Sequence, residues 1–238
     1  MTNHALLDHR THAELRVRVE RSPELGDGLM SCLAMPSEFR QVQNEYVILF
    51  RLDPASGVFS ALALFGFETG ENLFLEDGKW DARYIPLVMK VQPFLIGMEE
   101  PGAETKQVHV DLDSPRLAEQ DGVRLFDEHG RATPFLEDVA AELGALDEGF
   151  QNYGPFLDAL RRHDLLEPMT LEIGLDDGST NRLVGFHVID EARLRELDAD
   201  ALGELHQQGH LLTIFMALAS LSNLGGLVAR KNRRARHG

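Results

Sequence analysis

The chain has one cysteine, Cys32, in 238 residues, so it cannot form an intramolecular disulfide. The N-terminal run MTNHALLDHRTHAEL is broken by charged residues and has no basic segment followed by an apolar one, so it lacks the pattern of a secretory signal. Both absences are typical of proteins of a reducing compartment. We therefore expect a cytoplasmic location.

Common enzyme signatures are also missing. The sequence has no P-loop, no Gly-rich dinucleotide fingerprint, no G-x-S-x-G elbow, no H-E-x-x-H helix and no paired C-x-x-C motifs. It has no internal repeat, no low-complexity segment and no linker rich in proline, glycine or serine. We therefore predict one domain over residues 1–238, with residues 1–12 and 230–238 flexible, and no signature decides whether that domain is an enzyme.

The charge is strongly acidic and unevenly distributed. The net charge of −16 includes +5 from a C-terminal tail without acidic residues, so the rest of the chain carries −21. The basic residues of this tail are Arg230, Lys231, Arg233, Arg234 and Arg236. An acidic surface repels phosphate backbones, so nucleic acid is not an expected partner.

The first half of the chain has the patterns of β-strands. Leu15, Val17 and Val19 alternate with charged residues, which is the period of a strand with one buried face. The runs YVILFRL and VFSALALF flank the turn residues DPASG and predict a hairpin. The runs PFLIGM and KQVHVDLD predict two further strands.

The hydrophobic period changes after Thr133, which precedes a proline and is a favourable helix start. Apolar residues at helical spacing follow it: Phe135, Val139, Leu143 and Leu146. The Gly154–Pro155 pair is expected to kink or split this helix. The sequence therefore predicts an α+β fold with a strand-rich N-terminal half, a helical C-terminal half and one late β-hairpin.

The late hairpin is predicted from the runs TLEIGL and NRLVGFHVI, which DDGST joins. Two short strands alone bury too little surface to be stable, so we expect the hairpin over 171–189 to pack on the helix over 135–146. Asp190 then caps further helix, which ends near Gly209.

An uncharged run from Leu211 to Val228 is long enough to cross a membrane. Its polar residues, a Gly225–Gly226 pair and the basic residues that follow favour a buried core helix over 210–228, with no transmembrane span. An interfacial helix whose basic tail meets anionic lipid is the alternative. If the helix were half exposed, a homodimer or a missing partner would explain it.

One pair of residues has the spacing of metal ligands. His109 and Asp111 lie two apart on a predicted strand, so both side chains point to one face. The two-His-one-carboxylate site of non-heme iron oxygenases uses H-x-D and a distant histidine, which His187 or His210 would supply. The alternative is a strand whose polar residues face solvent, with no metal.

A second candidate site surrounds the single tryptophan. Trp80, Asp81, Arg83 and Tyr84 place two aromatic rings beside a carboxylate and a guanidinium just after a turn. Such groups are used to recognise sugars, peptides and carboxylates, which makes this segment a candidate ligand platform. The alternative is a structural tryptophan with Arg83 in a salt bridge.

Several segments from about Pro36 onward, in order, resemble the SapC family of proteobacterial proteins, which is distinct from the peptide permease of the same name. They are ENLFLEDGKWDARYIP, VDLDSPRL, LFDEHGRATPFLED, DLLEPMTLEIGLDDGSTNRLVGFHVIDEARL and ELHQQGHLLTIFMALASLSNLGGLV. The resemblance implies a link to the cell surface, through surface-layer systems or TonB-dependent uptake. It implies no catalytic residues.

Two functions remain open from the sequence. The first is a non-enzymatic binding or accessory protein of such surface systems, without a cofactor, whose partner is an unidentified protein or surface-related ligand. The second is a non-heme iron-dependent oxygenase that uses the H-x-D motif.

Overall fold

The computed structural model of the protein describes residues 3–98, 106–176 and 178–237. The strands are β1 (His4–Leu6), β2 (Arg16–Val17), β3 (Ser31–Leu33), β4 (Val47–Leu52), β5 (Phe59–Leu64), β6 (Leu75–Glu76), β7 (Lys79–Trp80), β8 (Phe94–Met98), β9 (Lys106–Asp111), β10 (Leu117–Ala118), β11 (Val123–Arg124), β12 (Leu166–Gly174) and β13 (Thr180–Ile189). The helices are α1 (Phe39–Val42), α2 (Leu87–Lys90), α3 (Pro134–Arg162), α4 (Glu191–Arg195), α5 (Ala199–Gln207), α6 (His210–Ser220) and α7 (Leu224–His237). The predicted α+β class is confirmed.

The largest sheet has five strands in the order β12-β13-β4-β5-β3. Its centre is the predicted hairpin of β4 and β5, paired antiparallel from Val47 opposite Leu64 to Leu52 opposite Phe59. The run VILF at the start of β4 is buried at every position, as expected for a strand covered on both faces. The late hairpin, β12 with β13, is also confirmed, and it joins this sheet along β4.

A second sheet has three strands in the order β1-β9-β8, so β8 is an edge strand among the described residues. Its inner face is apolar, because Phe94 and Val110 are buried opposite each other. The predicted strand around Val17 is shorter than expected, since only Arg16 and Val17 pair, between β10 and β11.

Helix α3 is continuous over 29 residues and is not split at Gly154–Pro155. Proline at position 155 removes one N–H from the helix and leaves the carbonyl of Gln151 without its usual donor. Both Gln151 and Pro155 are exposed, so that carbonyl can bond to solvent instead, which allows the helix to continue.

Two apolar cores result, and α3 contributes to both. Its first half, with Leu136, Val139, Leu143 and Leu146, packs in the core beneath the three-stranded sheet. Its second half, from Phe156, lies in the core of the five-stranded sheet. The late hairpin belongs to this second core, because it pairs with β4, which packs near the second half of α3. The expectation that the hairpin packs on residues 135–146 is therefore wrong.

The last apolar helix packs on the five-stranded sheet along one face. Ile214 and Ala217 are buried there, whereas Leu212 and Phe215 are 55% and 51% exposed. Residues 210–236 are long and apolar enough to cross a membrane by length and composition, a test that core helices and signal sequences also pass, and 22% of their most apolar window is buried. The helix is therefore not buried around its circumference, and the exposed face is where the predicted homodimer or missing partner would make contact.

The basic residues at positions 230–236 lie on α7. Arg230 contacts Asp81, and Lys231 lies 2.9 Å from a carboxylate oxygen of Glu68 and 2.6 Å from one of Glu71. These partners are acidic residues of the preceding chain, which carries a net charge of −21. Near the N-terminus, β1 pairs antiparallel with β9.

Candidate functional site

Trp80 of the predicted ligand platform is buried, with 8% exposure. Its indole Nε1–H donates to the Tyr46 hydroxyl at 2.8 Å, and its ring meets Phe65 edge to face at 5.1 Å. The Tyr46 hydroxyl in turn donates to the carbonyl of Tyr84. Trp80 therefore anchors the segment to the core, and its aromatic face is not open to a ligand.

The polar residues of the platform are held by the chain itself. Arg230 donates to the Asp81 carboxylate at 2.6 Å and to the Asp81 carbonyl at 2.9 Å, while its guanidinium stacks 4.4 Å from the centre of the Phe74 ring. The backbone N–H of Arg83 donates to Glu45, and both Asp81 and Arg83 are exposed residues. The four predicted residues thus lie next to one another, and Arg230 of α7 binds the segment through Asp81.

The Tyr84 hydroxyl donates to the carboxylate of Glu38 at 2.7 Å. Glu38 is 3% exposed and also accepts backbone N–H groups from Met35 at 2.8 Å and Leu87 at 3.0 Å. Burial raises the pKa of Glu38, and the two backbone bonds and the tyrosine bond partly offset that rise. A buried carboxylate with a raised pKa is a general-acid candidate, but its three donors bind it within the fold and leave it no access to a substrate.

The raised pKa of Glu38 predicts how stability depends on pH. The folded state holds this proton more tightly than the unfolded state, so this contribution to stability is complete below the ordinary value of 4.5 and is lost as pH rises through the folded value. We expect Glu38→Gln to remove that decline. Urea unfolding at intervals above pH 4.5 measures it, and parallel curves for wild type and variant would contradict the assignment.

The three predicted metal ligands do not form one site. His109 and Asp111 lie on β9 of the three-stranded sheet, whereas His187 lies on β13 of the five-stranded sheet, with its ring 4.9 Å from that of Phe59. Within residues 3–98, 106–176 and 178–237, no group of three His, Cys, Asp or Glu side chains is arranged to hold a metal ion. The alternation of a strand correctly predicts a shared face, but it does not tell which sheet the distant histidine joins.

The His109 ring lies flat against the backbone of Gly97 on the neighbouring strand. A methyl group at Gly97 would come within 2.3 Å of that ring, so only glycine fits there. The Nε2 atom of His109 is buried and has no hydrogen-bond partner in the described part of the chain.

A cleft of about 710 Å³ lies between β8 and α3. All five residues of β8 line it, and on the other wall are residues of one helical face: Leu143, Leu146, Asp147 and Phe150. Met98 and Phe150 are about half exposed in it. Lys106 and Asp147 form an ion pair at the cleft.

Consecutive side chains of a strand point to opposite faces, so a cavity on one face of β8 would touch every second residue. Contact with all five residues means that this cleft runs along the open edge of the strand. The N–H of Asp111 donates to the carbonyl of Pro93, and the antiparallel register then directs the polar backbone groups of Leu95 and Gly97 toward β9. Those of Ile96 therefore point outward into the cleft.

A family model described as SapC matches residues 7–227. The chain belongs to the SapC family. No curated protein and no solved structure matches this SapC-family chain. The family resemblance seen in the sequence is thus confirmed over nearly the whole chain.

Sequence patterns predicted both walls of the cleft in this SapC-family protein but not the cleft itself. PFLIGM is the strand β8, and Leu143 and Leu146 belong to the predicted helix. The sequence signal for the cleft was Phe150, an apolar residue on the same helical face as Leu143 and Leu146. In the structure, Phe150 is half exposed. That β8 is an edge strand depends on the order of strands in the sheet, which local patterns do not contain.

Proposed function

We propose that this SapC-family protein is a non-enzymatic binding protein that accepts an extended segment of a partner protein as an added strand between β8 and α3. The observation that carries the proposal is that every residue of β8 lines one apolar cleft, along a strand edge with which no other described strand pairs. Addition of a strand to a sheet edge provides main-chain hydrogen bonds, and pockets for alternate side chains provide specificity.

The chemistry of the cleft favours a polypeptide over a lipid or other apolar molecule. The outward N–H and C=O groups of Ile96 need hydrogen-bond partners when the cleft is filled, and an acyl chain has none to offer. A peptide strand supplies them at about 3.3 Å per residue, so the five residues of β8 match a segment of about five residues. Its inward side chains would contact Leu143, Leu146 and Phe150.

The biological setting is proposed from the family. A partner in a surface-layer or TonB-linked uptake system agrees with the expected link to the cell surface, and a cytoplasmic location would place the encounter before export of the partner. Photo-crosslinking from position 150 in the cells that make the protein tests this setting through the identity of the protein captured. Position 184, which is exposed on β13, is the control, and only proteins absent from its capture count.

The binding activity is tested with random octapeptides displayed on phage and selected on the purified protein. We expect enriched sequences in which apolar residues alternate, and micromolar or tighter binding of a selected peptide by fluorescence polarisation. Phe150→Ala is expected to weaken binding at least tenfold. Phe215→Ala is the matched control, because Phe215 is an equally exposed phenylalanine on another helix.

A second variant tests the backbone bonds. Ile96→Pro removes an N–H that points away from β9, a position at which an edge strand tolerates proline. We expect it to fold and to lose peptide binding. Selected peptides without an alternating pattern, or binding that neither Ile96→Pro nor Phe150→Ala weakens, would refute strand addition.

A further inference from the structure

Two arginines share one carboxylate beneath the N-terminal half of α3. Asp27 is fully buried and accepts from Arg116 at 2.6 Å, from Arg21 at 3.2 Å and from the backbone N–H of Ser22 at 3.0 Å. Arg116 is 1% exposed and also donates to the carbonyls of Arg18 and Glu20. The sequence patterns did not single out any of these residues.

This cluster has one more positive charge than negative charge. Burial lowers the pKa of Arg21, and the nearby guanidinium of Arg116 lowers it further, while Asp27 offsets part of the effect. Removing a charge from water without a counter-charge is costly, so an unbalanced buried cation favours a bound anion.

A cavity of about 250 Å³ adjoins the cluster, and its wall has a charged part and an apolar part. Arg21 and Arg116 line one part, and the Nε of Arg116 is buried with no hydrogen-bond partner in the described part of the chain. The apolar part is formed by Val17, Val19, Phe135 and Val139. The other charged side chains that line it are Arg18, Lys90, Asp138 and Glu142, with Lys90 paired to Glu142.

We propose that this cavity binds a small monocarboxylate with an apolar body. Counting Asp27 with the charged residues that line the cavity leaves a balance of +1, which one carboxylate neutralises. A guanidinium presents parallel N–H donors that match the two oxygens of a carboxylate. Phosphate fits less well, because its greater negative charge would face Asp138 and Glu142. The volume is below the range of drug-sized pockets, so the ligand has few carbon atoms.

Hexanoate is the probe, and hexanol and inorganic phosphate are the comparison ligands. We expect saturable binding of hexanoate by isothermal titration calorimetry, and at least tenfold weaker binding of hexanol and of phosphate. Hexanol binding as tight as hexanoate would show an apolar cavity without anion recognition. Phosphate binding as tight as hexanoate would show a general anion site, and either result overturns the proposal.

Two substitutions locate the site. Arg21→Gln is expected to weaken hexanoate binding at least tenfold, whereas Arg131→Gln, which changes an exposed arginine paired with Asp127, leaves it unchanged. Arg21→Gln also loses hydrogen bonds within the protein, so a second position provides an independent test. Val19 is 47% exposed and therefore tolerates polar residues. Val19→Asp adds a carboxylate beside the cavity and is expected to weaken binding tenfold relative to its neutral isostere Val19→Asn. Equal affinities for the Asp and Asn variants would refute the site.

Discussion

Replacing Asp27 with asparagine is expected to lower the free energy of unfolding by about 3–5 kcal/mol, the cost of breaking a buried ion pair on one side. The substitution hardly changes the size of the side chain but leaves Arg21 and Arg116 without their shared carboxylate. Arg116 is 1% exposed, so bulk water solvates its uncompensated charge poorly. Urea unfolding at neutral pH measures the loss.

Asp158→Asn is the matched control for this substitution. Asp158 pairs with Arg161 at 3.2 Å, but both side chains are more than 60% exposed, and exposed pairs contribute about 0–1 kcal/mol. A loss at Asp27 no larger than that at Asp158 would mean that water reaches the arginine cluster, and it would remove the electrostatic basis of the carboxylate site.

Truncation of Ile214 to alanine is expected to cost about 2–5 kcal/mol, because this side chain is fully buried between α6 and the five-stranded sheet. Phe215→Ala, one position along the same helix, is expected to change stability by about 0.5 kcal/mol or less, because Phe215 is 51% exposed. Thermal and urea unfolding in detergent-free buffer compare the two variants.

The contrast between these neighbours tests how the last apolar helix is used. A helix in a bilayer would make both substitutions nearly neutral for the soluble domain. A homodimer built on the exposed face would make Phe215→Ala costly as well, with a loss that depends on protein concentration. Equal effects at the two positions would therefore contradict the packing of α6 on the sheet.

Sequence periodicity predicted most of the secondary structure because its signals are local. The hairpin over 47–64 and the helix start at Pro134 follow from alternation, turn residues and capping within a few positions. The exception at Pro155 has a local cause too, since an exposed turn of helix tolerates a proline when water satisfies the free carbonyl.

The candidate sites were harder to predict because their partners are distant in the sequence. Trp80 is buried by its bond to Tyr46, and Asp81 is held by Arg230, which lies 149 positions later. The composition of that segment indicates groups suited to polar and aromatic contacts, but it does not say whether the chain itself or a ligand makes them. For the same reason, the sequence did not show that His187 and His109 lie in different sheets, because the pairing of distant strands decides which sheet each strand joins.

Three hydrogen bonds made by two polar side chains near the last helices have a consequence for biosynthesis. The N–H of Ile48 in β4 donates to the Ser220 hydroxyl, and Asn223 donates to the backbone carbonyls of Gln43 and Tyr46. These contacts join residues 172 to 180 positions apart, so the central strand is translated long before its partners exist. Until the ribosome has added Asn223, the apolar run of β4 remains incompletely covered on the nascent chain, where it is a binding site for chaperones and a hazard for aggregation.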